Sequence, residues 1–193
     1  MNGLLEKFNA YKAIANYQME YTFETGEVIR FKLKQADFPH LIGLHKLVDI
    51  PIIRQFNDRN NTTISAKYIL SRIKKEEFLT EEILRASIYF PDIEERYRMF
   101  SKENILSLSY TDAIVDFEAS RIGSSLQAKY ILFEKKEAGY NHLCIAEDSF
   151  GKKYAESFFY NSIELYLHNQ KIVKVKNIKI YDDKGILYME DNF

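Results

Sequence analysis

The spacing of hydrophobic residues changes twice along the chain, and these changes constrain the fold more than any other feature. Residues 17–33 alternate between apolar and polar side chains around a turn at 24–27, which is typical of a β-hairpin. Apolar residues then recur at helical spacing over 62–108, and the period returns to two from Ala113. This order predicts an α+β fold, with helices packed on one twisted antiparallel β-sheet and a helical insertion in the middle of the chain.

We predict a single α+β domain over 1–193, with the helical insertion at 62–108 and the antiparallel sheet at 109–193. The expected strands after the insertion are 113–119, 128–136, 142–148, 154–160, 164–168, 171–181 and 186–190. Within 171–181 the alternation changes parity between Val175 and Ile178. A β-bulge near Lys176 and Asn177 would explain that change.

Helix boundaries are predicted from capping residues and prolines. An amphipathic helix precedes the hairpin, a helix is expected over 38–48 with Pro39 in its first turn, and 49–61 is interpreted as a polar connection. The later starting signals are Thr62 or Thr63 for a helix over 64–76, Thr80 for the next, Pro91 and Asp92 for a third, and Ser101 for a short fourth.

Charge and cysteine content exclude several classes of protein. Lys and Arg number 27 against 28 Asp and Glu, a net charge of −1, whereas a protein that coats nucleic acid is strongly basic. Any contact with nucleic acid is therefore expected to be a local patch. The one cysteine, Cys144, excludes a disulfide framework and a zinc cluster. Without a signal peptide, an apolar run of ~18 residues or a nucleotide-binding motif, we expect a cytoplasmic protein with no membrane contact and no cofactor.

The segment 38–47 concentrates titratable groups in apolar surroundings. It holds two of the four histidines, His40 and His45, together with Lys46. Histidine changes charge near neutral pH and therefore suits general acid–base catalysis. The alternative is a hydrogen-bonded core histidine. The two rings are five residues apart, whereas two metal ligands on one helix face need the i, i+4 spacing, so no metal site is expected.

Basic side chains occur at two further places that suit phosphate chemistry. Arg30 and Lys32 share one face of the second hairpin strand. Arg121 precedes a loop of small residues, whose backbone N–H groups could bind an anion, although an ordinary turn is the favoured interpretation. Gly43 inside the expected helix costs up to about 1 kcal/mol relative to alanine. A close approach of another backbone or a ligand would be a reason to keep it.

Three segments together resemble a known group of nucleases. They are Phe38-Pro39-His40-Leu41-Ile42-Gly43-Leu44 directly after the hairpin, the late strand Glu156-Ser157-Phe158-Phe159, and Asn169-Gln170 before a lysine-rich strand. This pattern resembles the phage and mobile-element branch of the barnase–EndoU–colicin–RelE (BECR) group of RNases. The resemblance implies helices packed on one antiparallel sheet, whose exposed face cleaves RNA without a metal.

The resemblance implies that His40 acts as the acid or the base. From residue chemistry we add Arg121 and Ser157 as catalytic candidates. The substrate-binding candidates are Arg30, Lys32, His45 and Lys46.

The predicted function is a metal-independent, toxin-like endoribonuclease with an RNA substrate and a protein antitoxin or immunity partner. The alternative is a non-catalytic protein-interaction module, such as a phage or mobile-element accessory protein or a decayed RNase fold. The near-neutral charge and the 14 Tyr and 14 Phe residues favour this alternative, because aromatic surfaces suit protein partners. An exposed His40 beside cationic groups would favour catalysis, and a His40 sealed in the core would favour the module.

Overall fold

Eight antiparallel strands form one sheet in this computed structural model, which describes residues 3–58, 60, 63–162 and 164–193. The strands are β1 (Gln18–Phe23), β2 (Val28–Lys32), β3 (Asp112–Val115), β4 (Tyr130–Lys136), β5 (Gly139–Glu147), β6 (Lys153–Asn161), β7 (Ile172–Tyr181) and β8 (Leu187–Asn192). The α-helices are α1 (Gly3–Ile14), α2 (Phe38–Leu41), α3 (Pro51–Asn57), α4 (Ala66–Lys74), α5 (Glu81–Arg85), α6 (Glu94–Met99) and α7 (Lys102–Ile105). The predicted α+β class is confirmed.

The strand order is β2-β1-β7-β3-β4-β5-β6, with β7 near the centre. β7 pairs with β1 through residues 175–181, with β3 through 172–174 and with β8 through 177–181. The two end strands, β2 and β6, lie close together, so the sheet is nearly barrel-shaped. This curvature brings the segment after β2, which contains His40, against β6.

The predicted bulge in β7 is confirmed. Thr22 of β1 pairs with Asn177 and Phe23 pairs with Val175, which leaves Lys176 as the extra residue. The strand predicted at 164–168 is wrong, because Leu165–Leu167 form a 3₁₀ turn. Tyr166 and Leu167 are adjacent and both pack against one hydrophobic cluster, which the alternation of a strand does not allow.

The single helix predicted over 38–48 is also wrong. Helix α2 ends at Leu41, Gly43 adopts a left-handed conformation with φ of 90°, and Leu44–Lys46 form a 3₁₀ turn. Glycine adopts this conformation without the steric cost of a Cβ atom. The polar connection predicted over 49–61 contains helix α3, which begins at Pro51.

The helix starts predicted at Thr80 and Ser101 are confirmed, since their hydroxyls accept hydrogen bonds from the backbone N–H groups of Ile83 and Asn104 at 3.3 and 3.2 Å. Helix α4 is capped by Ser65 rather than Thr63, and position 62 lies outside the described residues. Pro91 and Asp92 belong to a 3₁₀ turn, Phe90–Asp92, and α6 begins at Glu94.

Hydrophobic residues cover one face of the whole sheet and both faces of its β3–β6 part. The main core lies between one face and the helices, and its large side chains include Phe8, Tyr11, Tyr21 and Phe158. Strand residues of opposite parity form a second cluster of Ile114, Phe117, Ile131, Phe133, Cys144 and Phe159, which loop side chains cover. Cys144 is a free, buried thiol. Every helix among the described residues is too short or too polar to span a bilayer.

Candidate active site

A cleft of about 490 Å³ opens where the α2–α3 segment and helix α6 meet strand β6, with the loop 124–127 as a further wall. Its lining residues are His40, His45, Lys46, Phe56, Asn57, Arg96, Ser124, Ser125, Leu126, Gln127, Glu156, Ser157, Phe159 and Tyr166. Four side chains predicted from the sequence therefore meet in one place: His40, His45, Lys46 and Ser157.

The break at Gly43 places both histidine rings on the same side of the cleft. Their centroids lie 5.2 Å apart, and the ring of Phe56 lies 5.3 Å from His40. The Asn57 side-chain amide donates a hydrogen bond to the His45 carbonyl oxygen at 2.6 Å, which fixes the 3₁₀ turn against α3. The two histidines are thus held by the backbone of two short elements.

The two imidazoles differ in exposure and therefore in chemistry. His40 is open to solvent, although the cleft walls partly desolvate its ring and lower its pKa. Burial lowers the pKa of His45 to about 3, aided by the positive charge of Arg96 and by His40 and Lys46. His45 is therefore neutral at physiological pH, whereas His40 is the ring that can exchange a proton with a substrate.

Arg96 contributes a cation that forms no ion pair with the part of the chain that the structure describes. Its Nε and Nη1 atoms are buried and have no hydrogen-bond partner among the described residues. Burial lowers the pKa of the guanidinium, but arginine ionises so far above neutrality that the group stays charged. A Cβ atom at position 43 would lie 2.8 Å from Cδ of Arg96 and 3.2 Å from its Nη1. Gly43 therefore makes room for this half-buried guanidinium, which lies over the ring of Phe159 and has no carboxylate partner among the described residues.

A β-bulge presents two consecutive residues of β6 to the cleft. Ala155 pairs with Ile145 and Ser157 pairs with Cys144, so Glu156 is the extra residue. Glu156 and Ser157 both line the cleft, which a regular strand would not allow. Desolvation raises the pKa of Glu156 above its usual value. A carboxyl and a hydroxyl thus face the two histidines across the cleft.

A family model described as phage-Barnase-EndoU-ColicinE5/D-RelE like nuclease4, or PBECR4, matches residues 3–190 of the 193-residue chain. The chain belongs to the PBECR4 family. This family is a family of nucleases, and the resemblance predicted from the three sequence segments is confirmed. No curated protein and no solved structure matches the chain.

Three predicted site residues of this PBECR4 protein lie outside the cleft lining. Arg30 and Lys32 are on the exposed face of β2, and Arg30 pairs with Glu20 at 2.6 Å. Arg121 is held by both carboxylate oxygens of Glu118, at 2.8 and 2.5 Å, and by the Asn169 carbonyl. The loop after Arg121 lines the cleft through Ser124 and Ser125, and its binding of an anion stays a prediction.

Two charged cleft residues of the PBECR4 protein were not predicted as site residues: Arg96 and Glu156. Both left a signal in the sequence. Arg96 lies three residues after Ile93 and four before Phe100, on the border of an apolar helix face. Ala155 and Phe158 are both apolar although they differ in strand parity, which is the pattern that predicted the bulge in β7.

The back wall of the cleft is aromatic. Phe159 and Tyr166 line it, and the fully buried ring of His142 stacks on Phe159 at a centroid distance of 4.7 Å. Burial lowers the pKa of His142 to about 4, so this ring is neutral. Among the described residues, no three His, Cys, Asp or Glu side chains are arranged to hold a metal ion.

Proposed function

We propose that this PBECR4 protein is a metal-independent endoribonuclease. The observation that carries the proposal is that the exposed ring of His40 shares one cleft with the carboxyl of Glu156 and the unpaired guanidinium of Arg96. Two proton-transfer groups beside a cation form the minimal set for transesterification of a phosphodiester. The proposal extends the nuclease family assignment to RNA and to a mechanism.

In the proposed reaction the ribose 2′-hydroxyl attacks the adjacent phosphorus. A bond forms between the 2′-oxygen and phosphorus, and the bond from phosphorus to the 5′-oxygen breaks. One of His40 and Glu156 accepts the proton of the 2′-hydroxyl, and the other donates a proton to the leaving 5′-oxygen. The products are a 2′,3′-cyclic phosphate and a free 5′-hydroxyl. Proton transfer of this kind contributes about 10²–10⁴ in rate.

The remaining cleft residues would bind the phosphate. Arg96 offers planar donors to the phosphoryl oxygens, and Lys46 adds a second positive charge at the exposed rim. Ser157 and the neutral ring of His45 are placed to donate hydrogen bonds. Arg121 lies outside this set, and we assign it the task of holding the turn before the loop 124–127 through Glu118 and Asn169.

Cleavage of RNA in EDTA tests the proposal. Wild-type protein should cleave a mixed-sequence RNA, and His40→Ala should lose about 10²–10⁴-fold in rate because one proton-transfer group is gone. His168→Ala is the matched control, since His168 is an exposed histidine outside the cleft lining. The product ends should be cyclic phosphates, and a single 2′-deoxy substitution at the cleaved position should abolish the reaction.

Three results would contradict this assignment. Equal cleavage by wild type and His40→Ala would remove His40 from the mechanism. Cleavage of the 2′-deoxy position would exclude attack by the neighbouring hydroxyl. A strict requirement for added divalent metal would exclude the metal-independent route.

A cytoplasmic, toxin-like role restrained by a protein antitoxin or immunity partner is part of the proposal, and a non-catalytic interaction module is the second candidate. An apolar groove of about 390 Å³ between α3 and the α4–α5 region favours a protein partner in either case, and Phe78 at its edge is 66% exposed. Induced expression in bacteria separates the two. Growth arrest with RNA degradation that His40→Ala relieves supports the toxin, whereas arrest by both forms with intact RNA supports the module.

A further inference from the structure

The cleft continues along β6 into a second depression. This depression has a volume of about 330 Å³, and Gln127 lines both it and the cleft. Tyr154 lies in the second depression and Glu156 in the cleft, and both point away from the core, whereas Ala155 between them is buried. A continuous surface therefore runs from the proposed scission point along the outer edge of the sheet.

This surface ends at the β5–β6 hairpin, which presents an exposed aromatic ring. Phe150 at the tip is 94% exposed, the highest value among the large apolar side chains that the structure describes. The turn is ordered by Asp148, whose Oδ1 accepts hydrogen bonds from the backbone N–H groups of Phe150 and Lys152, each at 2.9 Å. Asp148 therefore fixes this turn, and the ring of Phe150 is held in solvent, where a planar group could stack on it.

The charges along this surface restrict how a nucleic acid could lie on it. Lys129 and Lys153 flank Glu147 at 2.9 and 3.0 Å, and Lys152 is exposed next to them. Around Tyr154 the charge is negative, because Glu156, Asp148 and Asp37 act on its phenol. These carboxylates would repel phosphates. Bases would therefore lie against the rings, and the phosphates would follow the lysine side.

We propose that β6 and the β5–β6 hairpin bind the RNA strand beyond the scission point, with an unpaired base stacked on Phe150. The strand must be single, because a stacked base has to leave its duplex partner. Phe150 and Glu156 are six residues apart, roughly 15–20 Å along a strand. The substrate would thus be a single-stranded segment several nucleotides long. The inference rests on the proposed ribonuclease activity for the position of the scission point.

Binding of a strand that cannot be cleaved tests the path separately from catalysis. The probe is a fluorescent single-stranded dodecamer of 2′-O-methyl RNA, which lacks the attacking hydroxyl, and the readout is anisotropy. Phe150→Ala should weaken binding about 5- to 100-fold, the usual loss for one base–aromatic stack. Phe150→Tyr should retain binding because it keeps the ring. Phe78→Ala is the matched control, since it removes an exposed ring that lines a different groove.

Salt and length sharpen the test. The loss caused by Phe150→Ala should persist at high salt, whereas a loss caused by Lys152→Gln should shrink, because only phosphate contacts are screened. A cleavable dinucleotide should react equally with wild type and Phe150→Ala, since it does not reach the hairpin.

The outcomes distinguish the path from the activity. If wild type and Phe150→Ala bind the dodecamer equally, RNA does not bind along β6 and the β5–β6 hairpin as proposed, even if RNA is cleaved. Equal affinity of wild type for duplex and single-stranded RNA would also overturn the proposed binding surface. If Phe150→Ala weakens binding but no RNA is cleaved by wild type, the proposed binding surface is supported and the proposed activity is overturned.

Discussion

The cleft wall and the 118–122 turn each hold an arginine and a glutamate, but in opposite electrostatic states. In the turn, Glu118 neutralises Arg121 through two hydrogen bonds, and the pair is exposed. In the cleft, Arg96 has two buried nitrogens without a partner, and Glu156 has no ion pair among the described residues. Exposed pairs of the first kind contribute little to stability, typically about 0–1 kcal/mol.

The difference shows which charged residues are available for chemistry. The Arg96 guanidinium lines the open cleft without a carboxylate partner among the described residues, so we expect it to bind an anionic group there. The Arg121 guanidinium already has its anion and keeps a turn in place. Each arginine has a glutamate one to three positions before it in the sequence, Glu95 for Arg96 and Glu118 for Arg121, so the distinction arises from the fold.

The largest expected effect comes from replacing Glu156 of the cleft, and the same replacement of Glu118 in the turn is its control. Glu156→Gln should reduce kcat/KM by about 10²–10⁴ because it removes a proton-transfer group. Desolvation raises the pKa of Glu156 and lowers that of His40, so the wild-type pH–rate profile should be a narrower bell than two unperturbed side chains would give. Glu156→Gln should remove one limb of the profile and His40→Ala the other.

Glu118→Gln is the control for that experiment and should leave the shape of the pH–rate profile unchanged. If Glu156→Gln keeps both limbs of the profile, Glu156 is not an acid or a base in the reaction.

The arginines give the next effect in size. Arg96→Ala should lower kcat about 10²–10³-fold, because a preorganised donor to the developing charge on the phosphate is lost. Arg121→Ala should lower kcat less than about threefold, in line with an exposed pair that only supports a turn. Steady-state kinetics on one oligonucleotide decides the comparison. A larger loss for Arg121→Ala than for Arg96→Ala would reverse the assignment of the two regions.

The smallest expected effect is on the free energy of unfolding, through His142 behind the cleft. The folded-state pKa of His142 is about 4, whereas an unfolded histidine titrates near 6.5, so the unfolded chain takes up the proton first as the pH falls. The stability that the neutral ring contributes is complete above pH 6.5 and is lost toward pH 4. At pH 5 the loss should be about 2 kcal/mol relative to pH 7.

His142→Phe removes this pH-dependent contribution while keeping an aromatic ring against Phe159. Between pH 7 and 5, the free energy of unfolding of the variant should therefore fall about 2 kcal/mol less than that of wild type. Urea denaturation at the two pH values measures this difference. Asp37, with a pKa raised to about 6 chiefly by burial, acts in the opposite direction but equally in both proteins. Exposed His168→Phe should behave like wild type. An identical pH dependence in His142→Phe and wild type would show that another group controls the acid limb.

Periodicity predicted the parts of the fold in which local pattern and tertiary packing agree. The hairpin, the cap at Thr80 and the bulge at Lys176 follow from residues within a few positions of each other. The break at Gly43 was not predicted, because the apolar pattern of 38–48 fits a helix. The reason for the break, the side chain of Arg96, lies 53 residues further along the chain.

The part of the candidate site that comes from one short segment was predictable from the sequence. His40, His45 and Lys46 are close in sequence, and they remain together in the fold. Arg121 was selected for its charge and loop context, and no local pattern shows that Glu118 and Asn169 already bind it. Whether a cation has a partner is decided by packing between distant segments, which one sequence does not display.

The bulge in β6 depends on one extra residue, Glu156, and this residue is also the carboxyl of the cleft. Deleting the codon for Glu156 would let Ala155 and Ser157 pair with successive residues of β5, so the ladder would become regular while the carboxyl disappeared. We expect this deletion to keep the pairing of β5 with β6 and to remove the proposed acid or base, so the fold and the proposed activity could be lost separately.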